Sequence, residues 1–536
     1  MMFRRKTAWT ALCAAVFSAA LVLTACGGAG GGTAGSSTSG SSTSGSGADV
    51  GDPVAGGVGR IYQVSEPRSL DPAAMANNWA NYGFLGNALY GTLMVNDTET
   101  FEIEYKMAED FSTTDGGKTF TLKLQPDLKF SDGSPLDAAA VKFNWDRMRE
   151  PGLGTTSQRY AVQIADNTVL DPATLKVTLV EPNPHFGQIV TVSVLNWIAS
   201  PAALAQDRAA FDAAPIGAGP FTLTKWTRQN TIELAKNPAY WDAPKPYLDT
   251  LTLRSSADTN QRYNTLTTGG VDLTVETSWE TLAKAEDAGL TTDIAPMGGG
   301  QYIAFNFRRA PFDDERARRA VALAVDVDAF NVAVSNGKAE IPQTLFPESS
   351  PFYSDISLQS TGDKEEAQRL FDELAAEGKP VSFTFTAFQS SEATSAAEAV
   401  QAQLSAFDNV DVKVDVVEST VGQQLSAAKD FDMIVSAVLV QEPDSDLWNL
   451  FHQAAPANFT GIKDQALSDA LDAGRVSESQ EERKVAYDIV QERFAATVPG
   501  IWYARVPTSV VAGSNVHGVQ LYGFGSALPE ELWISE

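Results

Sequence analysis

The stretch QYIAFNF at 301–307, continuing as RRAPFDDERARRAVALAVDVDAFNVAVSNGKAEIPQTLFP to Pro347, decides how the rest of the chain is read. Tyr302, Ile303, Ala304 and Phe305 form a short apolar run, bounded upstream by Gly298, Gly299 and Gly300. That is the pattern of a strand in a buried sheet. A turn follows at Ala310-Pro311. Asp313, Asp314 and Glu315 then open a helix, placing acids where the helix dipole favours them. Ala317, Ala320, Val321 and Ala324 recur at helical spacing along it. A second short helix is expected from about Asp328 to Asn336-Gly337, a pair suited to a left-handed stop. The segment reads as a strand, a proline turn and two helices, with no nucleophile or metal cluster in it.

The N-terminal end is not fold. Arg4, Arg5 and Lys6 precede an apolar run at 11–23 that is too short to span a bilayer. It ends in Leu23-Thr24-Ala25-Cys26, which looks like a bacterial lipobox, so 1–25 is expected to be a removed signal peptide. The Cys26 thiol would take a diacylglyceryl group, and acyl chains on it would hold the protein on a membrane surface. The chain has 2 Cys in all, Cys13 in the removed segment and Cys26 at the anchor. The mature body therefore lacks disulfides and relies on an ordinary core, which 43% hydrophobic composition can supply. Residues 26–57 read as the lipidated Cys and a Gly/Ser/Thr tether, with a reach of roughly 30 Å. The formal G-x-G-x-x-G at Gly30, Gly32 and Gly35 has neither a strand before it nor a helix after it. Gly117-Lys118-Thr119 ends like a phosphate loop, but Ser112 stands where its first glycine belongs. A net charge of −28 argues against nucleic acid as a partner, since a basic patch is what that needs. The 3 His residues, His185, His452 and His517, are too far apart to spell a zinc site or a Ser-His-Asp triad.

About 480 residues remain, too many for one core, so two or three domains are expected. A first strand is read at 59–64. Residues 120–124 and 175–179 alternate as half-exposed strands, and Phe130 to Pro135 is a turn. Asp137 caps a helix whose Val141, Trp145 and Met148 share a face. Further strands are read at 381–385, 410–416 and 431–435, the last leading into Val440-Gln441-Glu442-Pro443-Asp444-Ser445-Asp446-Leu447-Trp448.

Several of these stretches together resemble the extracellular solute-binding proteins of family 5, which serve ATP-driven importers of peptides, nickel and related solutes. The residues carrying the resemblance are Phe305-Asn306, Pro311-Phe312, Asp314, Arg316, Arg318, Ala320, Ala324 and Asp326. Leu70-Asp71-Pro72, Leu89 to Leu93, Asp115 to Met148, Ile216 to Phe221, Asn237 to Trp241 and Gly270-Val271-Asp272 match in the same order. Ala140 stands where the family usually has an acid, and Ser445 where it has a proline.

The resemblance implies an α/β, two-lobed periplasmic-binding-protein-like fold (type II, cluster C) with an extra β-rich subdomain. Lobe I would be 58–95, 213–300 and 501–536, the subdomain 96–212, and lobe II 301–500. The implied function is capture of a small solute, oligopeptide first, by a monomer that hands it to ABC permease subunits with separate cytoplasmic ATPases. No enzymatic activity, cofactor, metal or nucleic acid is implied, and the membrane is met only through the lipid on Cys26. Nickel chelates, oligosaccharides, opines and amines are alternative solutes. A surface sensor or adhesin without transport, and a secreted hydrolase, are alternatives of other classes. The expected ligand set is Asp444, Glu442, Trp448, Trp79, Tyr82, Tyr302 and Asn306. In peptide-binding members the Asp of the matching loop pairs with the ligand's α-ammonium, a role that would fall to Asp444. The competing reading is that Asp444 caps a helix over 445–452, with Asp446 on the surface. Trp79, Tyr82 and Trp448 would supply apolar walls, or pack under a loop.

Overall fold

The computed structural model describes residues 51–535, which hold three main sheets. The first lobe is built on a seven-stranded sheet ordered Thr291–Ile294, Ser509–Ala512, Leu273–Glu276, Val58–Gln63, Thr250–Ser255, Thr231–Lys236 and Phe221–Thr227. At its centre Val58–Gln63 runs parallel to both Thr250–Ser255 and Leu273–Glu276. The carboxyl ends of these three strands therefore share one edge, the edge where α/β sheets place ligand contacts. The second lobe carries a five-stranded sheet ordered Val410–Val417, Val381–Phe388, Met433–Val440, Gly298–Phe305 and Gly500–Ala504. Inserted in sequence between Val58–Gln63 and Phe221–Thr227 of the first sheet is an antiparallel four-stranded sheet of Ala108–Thr113, Thr119–Leu124, Thr174–Leu179 and Ile164–Asp171.

The strand Gly298–Phe305 shows why its sequence is a continuous apolar run rather than an alternation. Ile303 and Phe305 face a core shared with Phe312, Val321 and Phe385, while Tyr302 and Ala304 face another shared with Phe451 and Trp502. A strand covered on both faces has no polar side to show. Phe305 meets Phe312 at 4.5 Å between ring centroids, and Tyr302 stacks on Trp502 at 4.6 Å. By contrast Thr119–Leu124 alternates because only one of its faces is buried. The caps lie where the acids are. Asp314 accepts from Arg316 N ahead of helix Glu315–Ala324, and Asp326 accepts from Ala329 N ahead of helix Val327–Ser335. Asn336 closes the second helix at φ 52°.

Two short segments join the lobes. The chain leaves the seven-stranded sheet after Ile294 and enters the five-stranded sheet at Gly298; it returns between Ala504 and Ser509. The segments lie side by side: Ala295 N donates to Thr508 O at 2.9 Å, and Thr508 Oγ1 donates to Ala295 O at 2.7 Å. Arg505, 5% exposed, donates to Gly299 O at 2.8 Å, Leu345 O at 3.0 Å and Thr344 O at 2.8 Å. Strand pairing thus assigns Gly298 to Gly300 and Ile501 to Ala504 to the second lobe, whereas the sequence places both in the first. The glycines belong to the strand rather than bounding it. A Cβ on Gly299 would lie 2.4 Å from Val438 O, and one on Gly300 2.4 Å from Ala504 O, at φ +72° and +145°. Only glycine fits such an approach.

One buried acid in the first lobe makes a testable point. Glu530 is 4% exposed; burial pushes its carboxyl up to about 7, with Glu531 adding to the shift and Lys106 and Lys245 opposing it. Unfolding returns the group to its ordinary 4.5. Between these values the folded form holds a proton that the unfolded form has lost, so stability falls as pH rises, by about 3 kcal/mol in total. Urea melts of Glu530→Gln should therefore show a gain over wild type at pH 8 that is absent at pH 4.

Candidate functional site

The loops following the parallel strands of the first lobe meet the second lobe around a cavity of about 630 Å³, lined by Asp258, Thr277, Trp279, Gln301, Glu392 and Pro507 among others. Its first-lobe wall is held from behind by Arg262 and Glu276, both with side chains 0% exposed and 3.2 Å apart. Arg262 donates to Ser256 O at 2.8 Å and Val275 O at 3.0 Å, and Glu276 Oε1 accepts from the N–H groups of Thr277 at 2.7 Å and Ser278 at 2.9 Å. Burial pushes the Glu276 carboxyl up and the Arg262 guanidinium down; their mutual attraction opposes both shifts. The pair fixes two wall loops at once. Three helices begin at this cavity, capped by Asp258, Ser278 and Ser390. Trp279 Nε1 donates to Arg505 O at 2.8 Å, tying the wall to the returning segment. Among the described residues no group of three or more His, Cys, Asp or Glu is placed to hold a metal ion.

The acids expected to meet a ligand are placed elsewhere. Asp444 is 1% exposed and lies inside helix Pro443–Phe451. Its Oδ1 accepts from Arg475 Nε at 2.6 Å and its Oδ2 from Asn183 Nδ2 at 2.7 Å. It is not the cap either, because Glu442 holds that position and accepts from Asp444 N at 3.0 Å. Glu442 is itself ion-paired with the buried Arg483. An ammonium arriving at Asp444 would have to displace Arg475, so the carboxylate expected to be free is already neutralised. Asp446, expected on the surface, is 4% exposed and bound by Tyr160 Oη at 3.0 Å and Arg159 at 3.0 Å.

The aromatic and amide residues divide. Trp448 stacks on His452 at 4.5 Å, lies 4.1 Å from the Arg475 guanidinium and donates to Asp472 at 2.7 Å. Trp79 donates to Glu276 O at 3.0 Å, directly behind the wall loop. Tyr82 Oη meets Ser65 Oγ and Glu66 O, both at 3.2 Å. Tyr302 belongs to the second core, and Asn306, 0% exposed, donates to Phe431 O at 2.7 Å and Lys429 O at 3.0 Å. These two side chains are spent inside the second lobe. The structure groups Asp444, Glu442 and Trp448, and sets Trp79 behind the cavity wall. Cys26 lies outside the described residues.

The Asp444 geometry fixes the outcome of a substitution. Asp444→Asn leaves Arg475 buried without a counter-charge, so urea melts of the solute-free protein should show a loss of about 3 kcal/mol. Asp444→Asn combined with Arg475→Met should recover part of it. An Asp444 that waited for an ammonium would instead leave the empty protein unchanged.

Comparison with known proteins gives this architecture its relatives. The profile of the bacterial extracellular solute-binding proteins, family 5 middle region, matches residues 102–458. The glutathione-binding protein GsiB of Escherichia coli strain K12 is 29% identical over 341 residues, 63% of this chain. The chain spans 65% of the length of that relative. Among solved structures, the binding protein AgaA of A. tumefaciens R10, in complex with agropinic acid, superposes with a TM-score of 0.76 at 25% identity, covering 90% of this chain and 99% of that one. DppA of Helicobacter pylori, in complex with the peptide STSA, gives 0.76 at 24% identity over 90% of this chain and 99% of its own. With the family profile spanning the greater part of the sequence over this two-lobed frame, the chain belongs to the bacterial extracellular solute-binding proteins of family 5.

Proposed function

We propose that this protein captures a small solute outside the cell membrane, closes its two lobes over it and delivers it to the permease of an ATP-driven importer. The observation that carries this reading is the cavity of about 630 Å³ whose walls come from both lobes. Its volume suits a ligand of a few residues. The chemistry is capture without transformation, and the ATPases are separate cytoplasmic subunits. A peptide is the first solute class, supported by the glutathione named for GsiB and the peptide bound by DppA. A non-peptide solute is the second, supported by the agropinic acid bound by AgaA. The protein acts as a monomer held to the outer face of the membrane by acyl chains on Cys26.

Mass spectrometry of the solute that co-purifies with the protein tests the capture directly, and a short peptide is the expected result. Added back at 100 times its dissociation constant, that solute should raise the stability by roughly 2.7 kcal/mol. Failure of any peptide to shift the melting temperature would contradict the peptide class, and failure of any small solute would contradict capture itself. Cys26→Ser should move the protein from the membrane fraction to the medium, or leave it unprocessed. A processed form still retained on the membrane would contradict the lipid anchor.

A further inference from the structure

The cavity between the lobes carries a one-sided set of charges. Among the described residues its wall holds Asp258, Glu280 and Glu392 and no Lys, Arg or His. Three helices begin there, and the positive end of each dipole would by itself favour an anion. Each of those ends is already answered by an acid. Asp258 caps the first, its Oδ1 accepting from Gln261 N at 2.9 Å. Glu280 lies in the first turn of the second and Glu392 in the first turn of the third. A full carboxylate charge exceeds the half charge of a helix end, so the wall meets a solute as an acidic surface.

The three carboxylates differ in what already holds them. Asp258 is spent on its cap and also feels the buried Arg262. Glu280 Oε1 accepts from Lys284 Nζ at 2.7 Å, and its Oε2 from Asn336 Nδ2 of the second lobe at 2.9 Å. Glu392, on helix Ser391–Leu404 of the second lobe, is open to the cavity. Its hydrogen-bond partner is the neutral amide of Gln301, and among the described residues no cation is paired with it. The walls around it still exclude enough water to push its carboxyl above the ordinary range, with Gln301 opposing the shift. The phenol of Tyr503 nearby is neutral, pushed up by burial and by Glu392 itself. A carboxylate in a recess that loses more water on closure is costly to leave without a counter-charge.

We propose that Glu392 is the specificity-determining residue of this cavity, and that the solute carries an ammonium or guanidinium group that pairs with its carboxylate. Trp279 puts an indole ring in the first-lobe wall of the same cavity, and indole faces attract cations. In a peptide the cation is the α-ammonium or a basic side chain, and one carboxylate serves either. This rests on the peptide-capture reading above. It gives the solute the counter-charge that Asp444, bound to Arg475, does not offer.

Calorimetric titration of the purified protein, stripped of solute, with trialanine, N-acetyl-trialanine and N-acetyl-alanyl-lysyl-alanine tests it. At least one of the two peptides that carry an ammonium should bind wild type tenfold or more tighter than N-acetyl-trialanine. The tighter of the two shows which ammonium is read. Glu392→Gln should weaken that peptide tenfold or more and N-acetyl-trialanine threefold or less. Glu392→Asp should keep the order of preference. Glu398→Gln, which removes a charge from the same helix outside the cavity, should change each affinity threefold or less. Thermal melts check that each variant is folded, and the wild-type preference decides even where a variant is not. Failure of both ammonium peptides to exceed N-acetyl-trialanine tenfold, or equal losses for all three in Glu392→Gln, would overturn the assignment while leaving peptide capture intact. Binding of none of them would overturn the peptide reading and this proposal with it.

Discussion

The two connections between the lobes set what the rest of the molecule can do. Residues 295–297 and 505–508 are the links between two sheets that each have their own core. The reciprocal bonds between Ala295 and Thr508 make the pair act as one short ribbon. Arg505 anchors the second-lobe end by three backbone carbonyls, and its own carbonyl accepts from Trp279 on the first lobe. A rigid body on each side of a narrow ribbon is the arrangement from which hinge closure arises, since a few backbone angles absorb the motion. The cavity lies against this ribbon, with Pro507 and Trp279 both in its wall. A solute there is in a position to couple the two walls.

Buried ion pairs recur behind the cavity wall and just beyond strand Met433–Val440, although the chain as a whole is strongly acidic. Arg262 with Glu276, Arg475 with Asp444 and Arg483 with Glu442 each join a loop or helix start to a neighbouring element. Such pairs add little net stability once desolvation is counted, and a matched apolar pair often does as well. Their value here is geometric. A guanidinium offers several donors in one plane, and Arg262 uses them to hold two wall loops. The same economy pairs each carboxylate from Glu442 to Asp446 with a guanidinium inside the protein.

Much of the fold was legible in local pattern. The doubly apolar run at 302–305, the caps Asp137, Asp314 and Asp326, and the alternation at 120–124 each reflect forces acting within a few residues. The site was less so. The partner of Asp444 lies 31 residues downstream on one side and 261 upstream on the other, and Arg483 lies 41 residues from Glu442. Nothing in local periodicity reports a pairing at such separations. Asp446 looked like a surface acid for the same reason, since its partners Arg159 and Tyr160 belong to another sheet's surroundings. Asn306 carried the family resemblance, yet its side chain donates to the backbone carbonyls of Phe431 and Lys429, and Tyr302 serves packing. The Gly298 to Gly300 triplet reads as a break in sequence, because the crowding that demands glycine comes from strands more than a hundred residues away.

The central claim is that a solute draws the two lobes together about the paired crossings. Small-angle X-ray scattering of the protein, first stripped of solute and then saturated with the solute that co-purifies, tests it most directly. The saturated protein should show a smaller radius of gyration than the stripped protein. Identical curves in the two states would contradict the account.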